Sequence, residues 1–260
     1  MQRYSPCQTQ PSRLPAMTST LALDVGGSGI KAMVLDELGK PISERSRVET
    51  PYPCPPELFL ETVRGLVAEQ PSFDRASVGF PAMVRDGFVF RATAFSRAVK
   101  SGPRDQQLFD SWNGYPLESE LSKLFNVPTL VMNDADMQGC AVVAGKGMEL
   151  VLTLGTGVGT AVFYKGQMLP HMELSHGEFA GETIDIAIGD AERRSMGNKK
   201  WRTLVRRALI DFDKMFLPDI IYIGGGNAKH LNEENLISRC IIIPNSAGLT
   251  GGVRAWDFAQ

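Results

Sequence analysis

Three short stretches of this chain gather the residue types that handle phosphate and hydroxyl groups. The first is Leu21–Leu35, LALDVGGSGIKAMVL, where Asp24 precedes Gly26, Gly27, Ser28 and Gly29, and Lys31 follows. A glycine turn leaves no Cβ in a ligand's way and permits positive φ. Its successive backbone N–H groups form a concave anion site, to which Ser28 adds a hydroxyl. A carboxylate so close to phosphate requires a cation between them, and Mg²⁺ is the usual one. Asp24 is therefore a candidate for holding Mg²⁺ through water. An ordinary glycine hairpin would carry the same letters, and Lys31 reads equally as a solvated charge on a strand.

The motif recurs. Val151–Phe163, VLTLGTGVGTAVF, is again apolar strand, glycine turn and apolar strand, with Gly155, Thr156 and Gly157 at the turn. From Ile220 a third apolar strand ends in Gly224, Gly225 and Gly226. Two acidic stretches lie between. Leu130–Met132 runs into Asn133-Asp134-Ala135-Asp136, which puts a carboxylate at a strand end, where α/β proteins keep their chemistry. Helix capping is the structural alternative for Asp134, and Asp136 reads as structural. His171–Glu182, HMELSHGEFAGE, concentrates Glu173, His176, Glu178 and Glu182. A satisfied loop histidine is the alternative for His176.

The elements that must position these groups follow from pattern. Pro41–Glu49 reads as a third strand after the first hairpin. The prolines of Thr50–Pro56 forbid regular structure, and a helix is expected near Glu57–Glu69, where Leu58, Phe59, Val63, Leu66 and Val67 keep helical spacing. Ala76–Phe80 is a short buried strand ending at Pro81. Thr183–Asn198 reads as irregular or weakly helical. Trp201–Phe216 is a helix with Trp201, Leu204, Val205, Ala208, Leu209 and Phe212 on one face. Ile241–Ile243 is a strand, and Ala247–Ala255 begins a closing helix.

Composition bounds the function. The chain has 260 residues, 43% hydrophobic and 22% charged, enough for two modest domains. A net charge of −2 argues against a general nucleic-acid binder. Cys7, Cys54, Cys140 and Cys240 form no paired motif, so a reduced cytoplasmic setting is the simpler reading. No apolar run is long enough for a membrane helix. Met1–Ser19 is polar with three prolines, and is expected to be a disordered tail; Met17 is an alternative start.

The three glycine turns, in this order, resemble the phosphate-1, phosphate-2 and adenosine motifs of the sugar kinase–actin–heat-shock ATPase superfamily. With DVGGSGIK, NDAD, LTLGTGVGTA and the Glu173, His176, Glu178 spacing read together, the chain resembles the ROK family of sugar kinases, and most of all its polyphosphate-using glucokinases. The resemblance implies an α/β, ribonuclease H-like fold of two domains around a cleft. A small domain over residues 20–131 and a large one over 132–246 are expected, with the closing helix, 247–260, packing back on the first. Two departures stand out. The strand ending at Phe80 meets Pro81-Ala82 where sugar kinases often have Pro-Gly. The cysteine-rich zinc segment of many ROK proteins is absent, so no zinc is expected. Met1–Thr20 is also too short for the DNA-binding domain of ROK repressors.

The resemblance also implies roles. Asp134 matches the base that takes the proton from the sugar 6-hydroxyl. A hydroxyl is a poor nucleophile, so transfer needs such a base and donors around the moving phosphoryl group. Asn133, Glu173, His176 and Glu178 would hold sugar hydroxyls, each of which both donates and accepts. Gly26, Gly27 and Ser28, with Gly155, Thr156 and Gly157, would cradle the donor's phosphates, and Gly225 and Gly226 would face adenosine. The expected reaction is phosphorylation of glucose, with mannose a further candidate, by polyphosphate or ATP with Mg²⁺, in a homodimer. The basic cluster Arg193, Arg194, Lys199, Lys200, Arg202, Arg206 and Arg207 is either a polyphosphate track, screened by salt, or a solvated helix face. A non-catalytic ROK-type sugar sensor is the rival reading, and an acyl-phosphate kinase or polyphosphate hydrolase a third.

Overall fold

The structure, a computed structural model, describes residues 18–100, 102–244 and 247–258. The expected disordered tail lies outside the described residues up to position 17. Ser19, at its end, is fastened: its N–H and hydroxyl both donate to Asp74 Oδ2, at 2.7 and 2.8 Å.

Strands β1 (Thr20–Gly26) and β2 (Gly29–Leu35) form the first glycine hairpin, extended by the short β3 (Ser46–Val48). Helix α1 (Pro56–Val67) leads to β4 (Arg75–Phe80). A small hairpin, β5 (Met83–Arg85) and β6 (Phe88–Phe90), and helices α2 (Gln106–Trp112) and α3 (Leu117–Phe125) precede β7 (Thr129–Asn133). These build a sheet in the order β3-β2-β1-β4-β7, with β4 parallel to both β1 and β7. The third strand is shorter than the expected Pro41–Glu49, because only Ser46–Val48 pairs with β2 and Pro41 makes a single bridge to Leu35.

After α4 (Asp134–Cys140) the design repeats. Strands β8 (Met148–Leu154) and β9 (Val158–Tyr164) form the second glycine hairpin, and β10 (Gln167–Met168) adds to its edge. A small ribbon, β11 (Glu178–Phe179) and β12 (Glu182–Thr183), precedes α5 (Ile184–Ala187), α6 (Asp190–Met196) and α7 (Asn198–Phe216). Then come β13 (Ile220–Gly224), β14 (Cys240–Ile242) and the closing helix α8 (Ala247–Phe258). The second sheet runs β10-β9-β8-β13-β14. Of the irregular or weakly helical readings of Thr183–Asn198, the structure shows the helical one, as two short helices.

Each sheet has its own core. In the first, Phe59 of α1 packs edge-on to Phe80, Phe95 and Trp112, with ring centroids 5.5 to 5.8 Å apart. Trp112 Nε1 donates to the Cys54 carbonyl at 2.8 Å, satisfying its one polar atom. In the second, α7 buries Trp201, Val205, Ala208, Leu209 and Phe212 against the sheet. Helix α8 returns to the first sheet. Ser77 Oγ donates to the Gly252 carbonyl at 2.6 Å and accepts from Trp256 Nε1 at 2.9 Å. From the same helix Arg254 donates to the carbonyls of Ala141 and Val143 just beyond α4.

One buried carboxylate holds the link from α4 to β8. Glu149, 0% exposed, accepts from the N–H groups of Ala144, Gly145 and Lys146 at 2.6 to 2.9 Å and from Tyr222 Oη at 3.1 Å. Glu149→Gln removes the charge and turns an NH₂ toward those donors. It is expected to cost about 2 kcal/mol of stability in urea unfolding, the scale of lost charge-assisted bonds.

Candidate functional site

Strand β7 delivers the central carboxylate. Asn133 is the N-cap of α4: its Oδ1 accepts from the Ala135 N–H at 2.8 Å and its Nδ2 donates to the Ala82 carbonyl at 3.0 Å. The cap is therefore Asn133, not Asp134, and its 5% exposed amide is largely spent on backbone. Asp134 is the first helical residue, half-buried, with one oxygen 3.1 Å from the Ala135 N–H. Burial pushes its carboxyl up to about 7; Asp24 and, less, Glu173 add to the rise, while the Ala135 N–H and His171 oppose it. Asp24, Asp134 and Glu173, remote in sequence, are thus electrostatic neighbours.

Asp24 lies on β1 opposite Lys31 of β2, and Lys31 Nζ is 2.7 Å from Asp24 Oδ2. Lys31 is a partner of the acidic site, not a solvated charge. The turn beyond it is held from outside. Thr50 Oγ1, Tyr52 Oη and Arg47 Nη2 donate to the carbonyls of Gly26, Gly27 and Ser28 at 2.5, 2.7 and 3.0 Å.

The second and third glycine turns meet each other. Asn227 donates from its Nδ2 to the Gly155 carbonyl at 3.0 Å and from its N–H to the Leu154 carbonyl at 2.9 Å. Gly225 sits at φ 84°, and a Cβ there would overlap the backbone of Leu154. At Gly159 a Cβ would stand 2.9 Å from that of Ala135, so β9 presses against the start of α4. Gly225 is the one candidate ligand-binding glycine in the left-handed region. Gly26, Gly27, Gly155, Gly157 and Gly226 are not; at Gly155 and Gly226 a Cβ would meet nothing within 4 Å, so room rather than φ is what these two supply. The N–H groups of Gly27, Ser28, Thr156, Gly157 and Gly226 have no hydrogen-bond acceptor among the described residues. Five backbone donors on three turns can therefore address an anion.

The acidic loop brings carboxylates and an imidazole able to hydrogen-bond hydroxyls. Glu173 is 23% exposed, and its Oε2 stands 4.0 Å from Nε2 of the exposed His176. Asp185, at the start of α5, lies 4.0 Å from the same nitrogen and faces Gly157. Glu178 is exposed on β11, where its backbone pairs with Thr183, and its side chain makes no hydrogen bond or ion pair among the described residues. Beneath Glu173 lies His171, with 2% of its side chain exposed. Its Nδ1 is 3.0 Å from Asp136 Oδ2 and its Nε2 is 3.4 Å from Glu173 Oε1. Burial works against charge on the imidazole, but the two carboxylates prevail and raise His171 to about 9. Burial likewise disfavours the Glu173 carboxylate, yet His171 holds it below its ordinary range.

A family model for ROK proteins matches residues 20–189. The chain belongs to the ROK family. The polyphosphate glucokinase of Mycobacterium tuberculosis (strain CDC 1551 / Oshkosh) is 29% identical over 265 residues, 95% of each chain. The polyphosphate glucokinase of Mycobacterium leprae (strain TN) is 27% identical, covering 96% of this chain and 79% of its own. Among solved structures, the inorganic polyphosphate/ATP-glucomannokinase from Arthrobacter sp. strain KM has a TM-score of 0.76 at 29% identity, covering 92% of this chain and 99% of that one. The two five-stranded sheets, each opening on a glycine hairpin, are those of the actin-like ATPase fold, as the motifs implied.

In this ROK chain most of the basic cluster is already engaged. Arg193 and Arg194 each reach Asp190 at 2.8 Å. Arg202 donates to the His230 carbonyl at 2.5 Å, Arg206 donates to the Leu236 carbonyl, and Arg207 stacks 4.9 Å from the Phe179 ring centroid. Lys199 and Lys200 are exposed and make no ion pair among the described residues. The site residues that pattern reading missed are His171, Asp185 and Asn227. Only His171 left a signal: two positions before Glu173, it shares a face with it if the segment is extended.

Proposed function

We propose that this ROK protein is a hexose kinase that phosphorylates the 6-hydroxyl of glucose, with mannose as a further substrate, using polyphosphate, ATP or both. The observation that carries the reading is Asp134. It is a carboxylate at a strand end whose pKa of about 7 suits proton transfer at neutral pH, with Asp24 of the first glycine hairpin and Glu173 of the acidic loop as electrostatic neighbours.

Asp134 accepts the hydroxyl proton as the oxygen attacks phosphorus. Glu173, His176 and Glu178 hold the ring hydroxyls. Asn133 acts chiefly by setting the start of α4, its remaining N–H and lone pair being what it can offer a sugar. The N–H groups of Gly27, Ser28, Thr156 and Gly157 hold the donor's phosphates, and Gly226 supplies room for adenosine at the left-handed turn that Gly225 makes.

The residues fit Mg²⁺ held through water. The donors are oxygens, Asp24 and Asp134 repel each other as a divalent cation would relieve, and Lys31 already occupies one Asp24 oxygen. Bound there, Mg²⁺ would neutralise charge on the donor's phosphate oxygens.

The deciding experiment is glucose 6-phosphate formation by the purified protein with Mg²⁺, comparing long-chain polyphosphate with ATP. Product with either donor supports the reading; no hexose phosphate from glucose, mannose or other hexoses with either donor sinks it. The pH profile adds a second check. Only the deprotonated base works, so kcat/KM for hexose should rise about tenfold per pH unit from below and level off above about 7. A profile flat from pH 5 to 8 would remove Asp134 from the mechanism.

A further inference from the structure

We infer that His171 is a positioning residue for the hexose site: a buried imidazolium that clamps one oxygen of Glu173 and leaves the other for a sugar hydroxyl. The inference rests on the kinase reading above.

The argument is geometric. Both imidazole nitrogens lie close to carboxylate oxygens, Nδ1 3.0 Å from Asp136 Oδ2 and Nε2 3.4 Å from Glu173 Oε1, and neither contact is aligned as a hydrogen bond, so the attraction is between charges. A neutral imidazole has one N–H and one lone pair, and the lone pair would then point at an anion. The bridge is favourable only with both nitrogens protonated. Asp136 and His171 are 2% and 4% exposed, so water does not screen the pair. Asp136 sits two residues after Asp134 on α4, whereas Glu173 lies in the loop after β10. The bridge therefore ties the hydroxyl-binding loop to the helix that carries the base. Asp136 is the counter-charge within reach: burial pushes its carboxyl up, and His171 works against that rise.

The clamp sets direction as well as position. A carboxylate free to rotate presents either oxygen, and a sugar hydroxyl must first select the productive one. With Oε1 held by His171, Glu173 keeps Oε2 toward His176, 4.0 Å away. The site is then built before the hexose arrives, and the ordering cost falls on folding rather than on binding.

The test is steady-state kinetics of His171→Gln, Glu173→Gln and the double variant, beside the wild type, with thermal melts for each. His171→Gln is expected to raise the hexose KM about tenfold or more, leaving the donor KM within about twofold. The two substitutions should be non-additive: once Glu173 is Gln, removing His171 should change the hexose KM by less than about threefold. A merely structural role would instead lower the melting temperature and shift both KM values additively. If His171→Gln leaves Asp136 unpaired and the protein fails to fold, Asp136→Asn/His171→Gln removes both charges, and the same KM split is expected of it. An active wild type with an unchanged hexose KM in these variants overturns the inference alone. A wild type that makes no hexose phosphate overturns the kinase reading beneath it.

Discussion

Asp134→Asn should bind hexose as the wild type does and turn it over about a thousandfold or more slowly. Losing a general base and its positioning sets that scale. Asparagine keeps the size and the bond from the Ala135 N–H, so α4 stays in place. The check is kcat with saturating donor beside hexose affinity by calorimetry. Turnover near the wild-type value would rule Asp134 out as the base. The same variant should gain stability. The carboxyl is raised from 3.8 to about 7 on folding, so the folded protein holds this proton more tightly than the unfolded chain. Its contribution is present below pH 3.8 and is lost as pH rises through about 7. At pH 8 the wild type therefore carries a half-buried, repelled carboxylate, and Asn removes it, for a gain on the order of 1 kcal/mol after solvent screening. Higher stability with lost turnover is the signature of a group kept for chemistry.

Gly251→Ala should be the most damaging small substitution in the closing helix. A Cβ at Gly251 would overlap the Met137 carbonyl oxygen and stand 2.8 Å from its carbonyl carbon. The obstacle is backbone, which cannot swing aside as a side chain can. On the other side Gly252 lies against Ala22 and Ser77, so α8 is wedged between α4 and β1 with no room to retreat. Overpacking of this kind costs about 3 kcal/mol. Because Met137 is on the helix that begins at Asp134, a shift that relieved the clash would move the base. Urea unfolding should show the stability loss, and kcat should fall more than KM changes. An Ala variant of wild-type stability and turnover would mean that α8 does not set the position of α4. The control is Gly114→Ala, whose Cβ would meet nothing within 4 Å although its φ is 81°, so its cost is backbone strain alone.

Much of this protein was legible in the order of its residues. Strands that end in glycines announce themselves, because an apolar run must be buried and a glycine run cannot extend it. Asp24, Asp134 and the three turns were therefore placed at strand ends, and the family with its fold followed from their sequence and spacing. Helices α1 and α7 were readable for the same reason: their apolar residues recur with the helical period, and the buried faces keep it.

Local pattern did not decide which side chains share a charge. His171 looked like the first letter of a polar loop, Asp136 like a helix residue and Lys31 like a surface lysine. Each is defined by a partner elsewhere: Glu173 and Asp136 for the histidine, Asp24 for the lysine. The basic cluster on α6 and α7 went the other way. Its arginines are close in sequence, yet they are taken up by Asp190, by two carbonyls and by an aromatic ring. Backbone propensity and hydrophobic period are properties of neighbouring residues, so the sequence by itself determined the elements, their order and the strand ends that bear the chemistry. Electrostatic pairing and burial depend on distances across the fold, and these the tertiary structure alone decided. It assigned Asn133 to the cap and raised the Asp134 carboxyl to about 7. It also placed His171 beneath Glu173.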